Sequence, residues 1–327
     1  MITRRYSLWL VCILLAGSVN GGNGLSLAPG IEVSFLNRKA SAVFLSEPDD
    51  FVRALSPFDC ASRLQTGRVV RQADYLNHVR AQALDWEKAE VERVSALLKE
   101  LRPRMMDLKL PWPRVIHLIK TTGKEEGNAA YTRRNAVIMP AGKLKQKNDK
   151  LQQLLVHELF HVLSRTNPKL STRLYRIIGY KPVPLLKFPA ELLPRKLTNP
   201  DAPFSRHAID VEYAGRTVKV APILYARTEK YDAKQGGTFF RYLVFRLLVL
   251  DPEDLSKAMR GADEKPFLLE PAEAKGFQEK IGRNTRYIIH PEETMADNFV
   301  FLVFGKKNLP NPEIVRAMKK VFQENRK

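Results

Sequence analysis

Apolar residues recur at helical spacing from position 75 to position 101, where Leu76, Val79, Ala83, Trp86, Ala89, Val91, Val94, Leu97, Leu98 and Leu101 mark one face. The spacing predicts a long amphipathic helix, and Pro103 predicts its end. The texture then changes. Residues 115–119 and 129–139 are rich in apolar and β-branched side chains with Gly123 and Gly127 between them, which predicts two strands joined as a hairpin. A second helical pattern opens at Asn148, a cap-forming residue, and carries Leu151, Leu154, Leu155, Leu159, Val162 and Leu163 to a stop at Asn167-Pro168. Its second half is apolar on most sides, so this helix is expected to be buried.

A proline-rich stretch follows, holding Pro182, Pro184, Pro189, Pro194, Pro200 and Pro203, and after it come strand-like runs at 208–213, 217–225 and 238–250. The last contains Arg246 and is too short to span a bilayer. Helical spacing returns at 271–281, 291–304 and 312–323. There is no internal repeat and no low-complexity tract. Elements mixed in this order predict an α+β fold.

Composition alters this picture in three ways. Arg4 and Arg5 precede the short apolar run 8–16 and the small, polar stretch 17–24, the order of a cleavable export signal, with an N-terminal anchor as the other reading. The expectation is a protein that works outside the cytoplasm, in a periplasmic or extracellular space. Thr3-Arg4-Arg5 also partly matches a twin-arginine signal, although Ser7 stands where an aromatic residue is usual. Of the two cysteines, Cys12 falls inside the signal, so Cys60 has no partner for a disulfide and no companion for a thiolate zinc site. The formal charge of +19 favours anionic surfaces such as a cell envelope or a membrane. Its lysines and arginines are scattered, without interleaved aromatics or a nucleic-acid motif, so no specific nucleic-acid partner is expected.

The chemistry concentrates in the buried helix, which reads Val156-His157-Glu158-Leu159-Phe160-His161-Val162. Two histidines four apart differ by about 40° around a helix, so both rings can reach one ion from one face. Glu158 points in a neighbouring direction, within reach of a water on that ion. Two histidines and a glutamate among Leu, Val and Phe are costly to bury without a cation.

At these residues the sequence resembles the zincin metallopeptidases. Ser164 and Asn167 stand where the metzincin branch has its glycine and third histidine, which excludes that branch. The gluzincin branch, which includes the thermolysin-like enzymes, takes its third ligand from a glutamate on a later helix, followed four residues on by an aspartate. Pro291-Glu292-Glu293-Thr294-Met295-Ala296-Asp297 offers that pair. Glu293 and Asp297 share a helical face, whereas Glu292 is turned by about 100°, so Glu293 is the expected ligand and Glu292 is expected to be dispensable for zinc. An acidic first turn that merely caps a helix is the competing reading of this segment.

The resemblance implies one zinc ion on His157, His161 and Glu293, with Glu158 as general base and Asp297 holding His157. It implies a zincin-like domain over residues 111–327, with a small, mostly antiparallel sheet over the buried helix, after a helical region at 25–110. The long interval from His161 to Glu293 implies a β-rich insertion at about 168–285. Asn128-Ala129-Ala130-Tyr131 resembles the edge strand on which thermolysin-like enzymes bind the substrate backbone, although Ala130 replaces the aromatic residue. Tyr287 is the candidate donor to the oxyanion, with Tyr231, Tyr242 and His207 as rivals. His78, His117 and His290 lack partner spacing and read as structural or surface residues. The expected activity is hydrolysis of peptide bonds in a peptide or protein substrate. Two other readings compete: a zinc-binding protein without peptidase activity, and a basic envelope-binding protein.

Overall fold

The computed structural model describes residues 25–324, so the export signal at residues 1–24 lies outside the described residues. The fold is α+β, with two sheets among these residues.

The first sheet begins with β1 (Leu25–Ala28) and β2 (Ile31–Phe35). Helices α1 (Arg38–Leu45), α2 (Asp50–Ala54), α3 (Pro57–Arg63) and α4 (Gln72–Ala81) follow. Next come β3 (Ala83–Leu84), α5 (Lys88–Met106), β4 (Val115–Thr121), β5 (Tyr131–Arg133) and β6 (Ala136–Pro140). The strand order is β1-β2-β4-β6-β5, with β3 paired to β4. Ile119 and Ile138 face one apolar cluster with Phe44, Phe51 and Tyr75, while Leu118, Val137 and Met139 face another with Leu98 and Leu155. Both faces of the central strands are thus buried, which explains their nearly unbroken apolar sequence.

Four expectations require correction. The single helix at 75–101 is two helices, because Ala83 and Leu84 leave the helical path to pair with Thr121 and Lys120. Trp86 fixes this break, donating Nε1–H to the Leu118 carbonyl at 3.3 Å and packing edge-on against Phe35. Pro103 lies inside α5 rather than ending it. The strands at 115–119 and 129–139 do not form one hairpin: β4 and β6 are parallel, and the hairpin is β5–β6 alone. Residues 122–130 pass from the end of β4 to β5, which runs the chain back so that β6 can pair parallel to β4. The tight turn falls at Arg134-Asn135, where Arg134 takes φ 51° and its guanidinium stacks on Phe44 at 3.7 Å. The sheet is consequently mixed rather than mostly antiparallel.

Helices α6 (Asn148–Thr166) and α7 (Pro168–Ile177) lead into the second sheet. Asn148 is the first residue of α6 rather than its side-chain cap, and its Oδ1 accepts from Arg93 Nε at 2.9 Å. The second sheet lies within the segment expected to be a β-rich insertion. Its strands are β7 (Tyr180–Pro182), β8 (His207–Tyr213), β9 (Arg216–Ala226), β10 (Leu243–Val249) and β11 (Leu268–Leu269), all antiparallel in the order β11-β10-β9-β8-β7. Ala214 and Gly215, both at positive φ, make the two-residue turn between β8 and β9. The expected helix at 271–281 shrinks to α8 (Phe277–Ile281), which starts only after Gly276 at φ 82°.

Two helices close the fold, α9 (Pro291–Val303) and α10 (Pro312–Glu324). Helix α6 packs along α9, with Phe160 and Phe299 ring to ring at 5.5 Å. Cys60 is a buried free cysteine whose thiol is pushed up to about 12, by burial first and by Asp59 second.

Candidate metal centre

The centre forms where the buried half of α6 meets the first turn of α9. Val156, Leu159, Phe160 and Leu163 anchor α6 in the main core, which fixes the direction in which His157 and His161 project. His290 caps α9, accepting from the Glu292 backbone N–H through Nδ1 at 3.1 Å, and Pro291 occupies the first turn. His290 is thus a capping residue rather than a surface one.

His157, Glu293 and His161 come together with ligand atoms within 4.8 Å of one another. His157 Nε2 lies 3.2 Å from Glu293 Oε2, and His161 Nε2 lies 3.4 Å from the same oxygen. The other ring nitrogens are also spoken for. His157 Nδ1 is 3.0 Å from Asp297 Oδ1, and Thr285 donates to the other Asp297 oxygen. His161 Nδ1 is 2.7 Å from Glu292 Oε1. Glu292 in turn accepts from Ser164 Oγ at 2.7 Å and from the Tyr175 hydroxyl. Glu292 is 2 % exposed and its Oε1 lies against the second histidine, a contact that the angle between the two glutamates on the helix does not reveal.

The electrostatics follow from this packing. Burial opposes charge on His157, but its hydrogen bonds to Asp297 and Glu293 prevail and push its pKa up to about 10. His161 is raised as well, with Asp201 and Glu293 overcoming burial. Glu293 is held well below the usual carboxylate range, since His161 and His157 outweigh its own burial. Glu158 is pushed up to about 8, by burial first and then by Asp201. Neutral imidazoles donating from Nδ1 to carboxylates would turn Nε2 lone pairs onto the Glu293 oxygen, a repulsive contact that protons or a cation must relieve. Glu158 Oε2 and His161 Nε2 are buried without a hydrogen-bond partner. These unmet atoms and the donor set of two imidazoles and a carboxylate fit a divalent cation such as zinc.

Tyr287 stacks on His157, ring centroids 6.1 Å apart and planes 20° from parallel. Tyr287 as a residue is 41 % exposed, yet burial of its hydroxyl and the carboxylates of Glu293, Asp201, Glu158 and Asp297 keep that hydroxyl protonated far up the pH scale. The rivals lie elsewhere. Tyr231 and Tyr242 belong to a separate apolar cluster and donate to the backbone carbonyls of Gly237 and Asp232. His207 Nε2 pairs with Thr172 Oγ1 at 3.1 Å.

The segment 128–131 is not one edge strand. Asn128 sits at φ 63° in a turn with its N–H bonded to the Gly123 carbonyl, and the Ala129 N–H is bonded to Glu126. Neither N–H is free to pair with a substrate backbone. Ala130 packs against the main core, and Tyr131, 1 % exposed, begins β5. The outermost strand of the sheet starts there.

Two contributors carried no sequence signal. Asn199 donates Nδ2–H to Glu293 Oε1 at 2.6 Å, which turns Oε2 toward the histidines. Asp201 offers an oxygen within 4.8 Å of ligand atoms of Glu158 and His161, and its Oδ1 accepts from Thr132 N at 2.8 Å and Thr132 Oγ1 at 2.6 Å. Both lie in an irregular, proline-rich segment where periodicity says nothing.

Comparison of the chain with family models, with curated proteins and with solved structures finds no match.

Proposed function

We propose that this protein is an exported zinc-dependent peptidase in which His157, His161 and Glu293 hold the metal and Glu158 is the general base. One observation carries the reading: two histidine Nε2 atoms converge on Glu293 Oε2 at 3.2 and 3.4 Å, each ring tethered through Nδ1 to a further carboxylate. The mixed sheet, with its antiparallel edge β5 packed beside α6, supports a zincin-like description of the fold.

Zinc held there supplies a Lewis acid and lowers the pKa of water toward about 7. Glu158, whose Oε2 has no partner, takes the proton of the attacking water and returns it to the leaving amine. Asp297 and Glu292 hold the two imidazoles in the tautomer that leaves Nε2 free. Tyr287 directs its hydroxyl toward the developing oxyanion. The charge of +19 favours retention at an anionic envelope or membrane surface, where a peptide or protein substrate is met.

The test is hydrolysis of a broad peptide library by the zinc-loaded protein and by Glu158→Gln. The variant is expected to keep its zinc and its fold and to lose about 10²–10⁴-fold in rate. Activity near wild type in Glu158→Gln would remove Glu158 as the base.

A further inference from the structure

Resting on the retention at an anionic surface put forward above, we propose that residues 64–71 and 227–241 form one face that docks on an anionic lipid bilayer, with Val69 and Phe240 entering its headgroup layer.

The two segments are neighbours. A Cβ on Gly67 would stand 3.9 Å from the Ala233 Cβ, so the first loop touches the second. Arg241 Nη1 donates to the Gln235 carbonyl at 2.8 Å, which closes the second loop beside Phe240. Their inner sides are fixed. Ala61, just ahead of the first loop, packs against the apolar cluster that holds Phe58, Tyr231, Phe239 and Tyr242. The Thr66 N–H is bonded to the Ala61 carbonyl at 3.0 Å. The hydroxyls of Tyr231 and Tyr242 donate to the carbonyls of Gly237 at 2.7 Å and Gly236 at 3.1 Å. An anchored backbone therefore presents the outward side chains.

Val69 is 98 % exposed, the most exposed large apolar side chain among the described residues, and Phe240 is 49 % exposed. Left in water, these two side chains give the fold little of the gain that burial brings. They stand among cations. The two segments carry Arg68, Arg71, Arg227, Lys230, Lys234 and Arg241 against only two acids, Glu229 and Asp232, and the first segment holds no acid at all. Asp232 Oδ1 is occupied by the Lys234 backbone N–H at 2.9 Å, and Arg71 is ion-paired with Asp74.

This combination selects the occupant. Anionic headgroups complement the cations, and the acyl boundary beneath them takes up the apolar side chains, as at an interfacial anchor. A soluble anionic polymer would meet the cations and leave Val69 in water.

The test is co-sedimentation with vesicles of phosphatidylcholine alone and of phosphatidylcholine with phosphatidylglycerol, at low and high salt. It needs neither zinc nor turnover, so failure of the peptidase reading would leave its outcome unchanged. The wild type is expected to bind the anionic vesicles alone and to be released by salt. Lys230→Ala/Lys234→Ala should weaken binding about fivefold for each cation removed, and Val69→Glu roughly tenfold or more. Lys319→Ala/Lys320→Ala, the same loss of charge on α10, should bind nearly as the wild type does. No binding to anionic vesicles, or equal binding to both kinds, would overturn the proposal. So would wild-type binding by Val69→Glu, which would mark a surface that meets anionic polymers through charge alone. An equal loss in the α10 variant would also overturn it, since the attraction would then belong to the net charge and not to this face.

Discussion

His161 Nδ1 lies 2.7 Å from Glu292 Oε1, so the glutamate next to the proposed ligand holds the second histidine in place. Removing it leaves His161, Ser164 and Tyr175 without their common acceptor. Glu292→Ala is expected to weaken zinc binding by about 10–100-fold, the usual cost of losing an orienting carboxylate. Chelator competition reads this directly, and wild-type affinity in the variant would show that Glu292 plays no part.

The stacking of Tyr287 on His157 leads to a separate expectation. Tyr287→Phe keeps the ring contact and removes only the hydroxyl. Loss of one oxyanion donor costs about 10²–10³-fold in kcat. KM and zinc content should change little, and steady-state kinetics with metal analysis separate the two effects. An unchanged kcat would send the search for the donor elsewhere.

Stability of the metal-stripped protein should depend on pH in a defined sense. In the folded chain His157 is raised from 6.5 to about 10, with burial opposed by its bonds to Asp297 and Glu293, and Glu158 is raised from 4.5 to about 8 by burial and Asp201. Groups whose folded pKa is raised favour the fold fully below their unfolded values and lose that contribution as pH rises. Because His207 and His290, each lowered to about 4 chiefly by burial, oppose this below about pH 6.5, the Tm without metal is expected to fall from about pH 6.5 to about pH 10. Zinc should reverse the slope at the acid end, because its ligands must be deprotonated to bind. Thermal melts with and without a chelator check both signs.

Arg63 tests how the outer helices support the centre. Its guanidinium is fully buried and bonded to Glu126, Asp59 and the Thr198 carbonyl. Breaking a buried ion pair on one side costs about 3–5 kcal/mol. Arg63→Ala should show a loss of that size in urea unfolding, and it should loosen residues 198–201 as measured by hydrogen exchange.

The sequence was most legible where one helix carried the chemistry. His157, Glu158 and His161 belong to a single periodic, apolar segment, so their common face follows from helical geometry alone. Glu293 and Asp297 were readable for the same reason, one turn apart on a second helix. What escaped was whatever depends on pairing between distant segments. Ala83 fits a helical period, yet the edge of β4 claims it and Leu84 for a strand. The parallel course of β4 and β6 leaves no local trace, because strands buried on both faces read as apolar runs in either direction. Asn199 and Asp201 sit in a loop whose shape is set by Arg63 and Arg165 from other parts of the chain. The contacts of Glu292 escaped because its angle from Glu293 on α9 says nothing of what packs against it, and α6 and α7 supply Ser164 and Tyr175 there.

The central claim is that His157, His161 and Glu293 form one zinc site, and the most direct measurement is the metal content of the purified protein after zinc supplementation and removal of loosely bound ion. About one zinc per chain is expected in the wild type, because three protein ligands and a water complete a catalytic site. Glu293→Ala, which removes the oxygen shared by both histidines, is expected to retain far less. A wild-type protein that keeps no zinc, or a Glu293→Ala protein that keeps as much as wild type, would contradict the account.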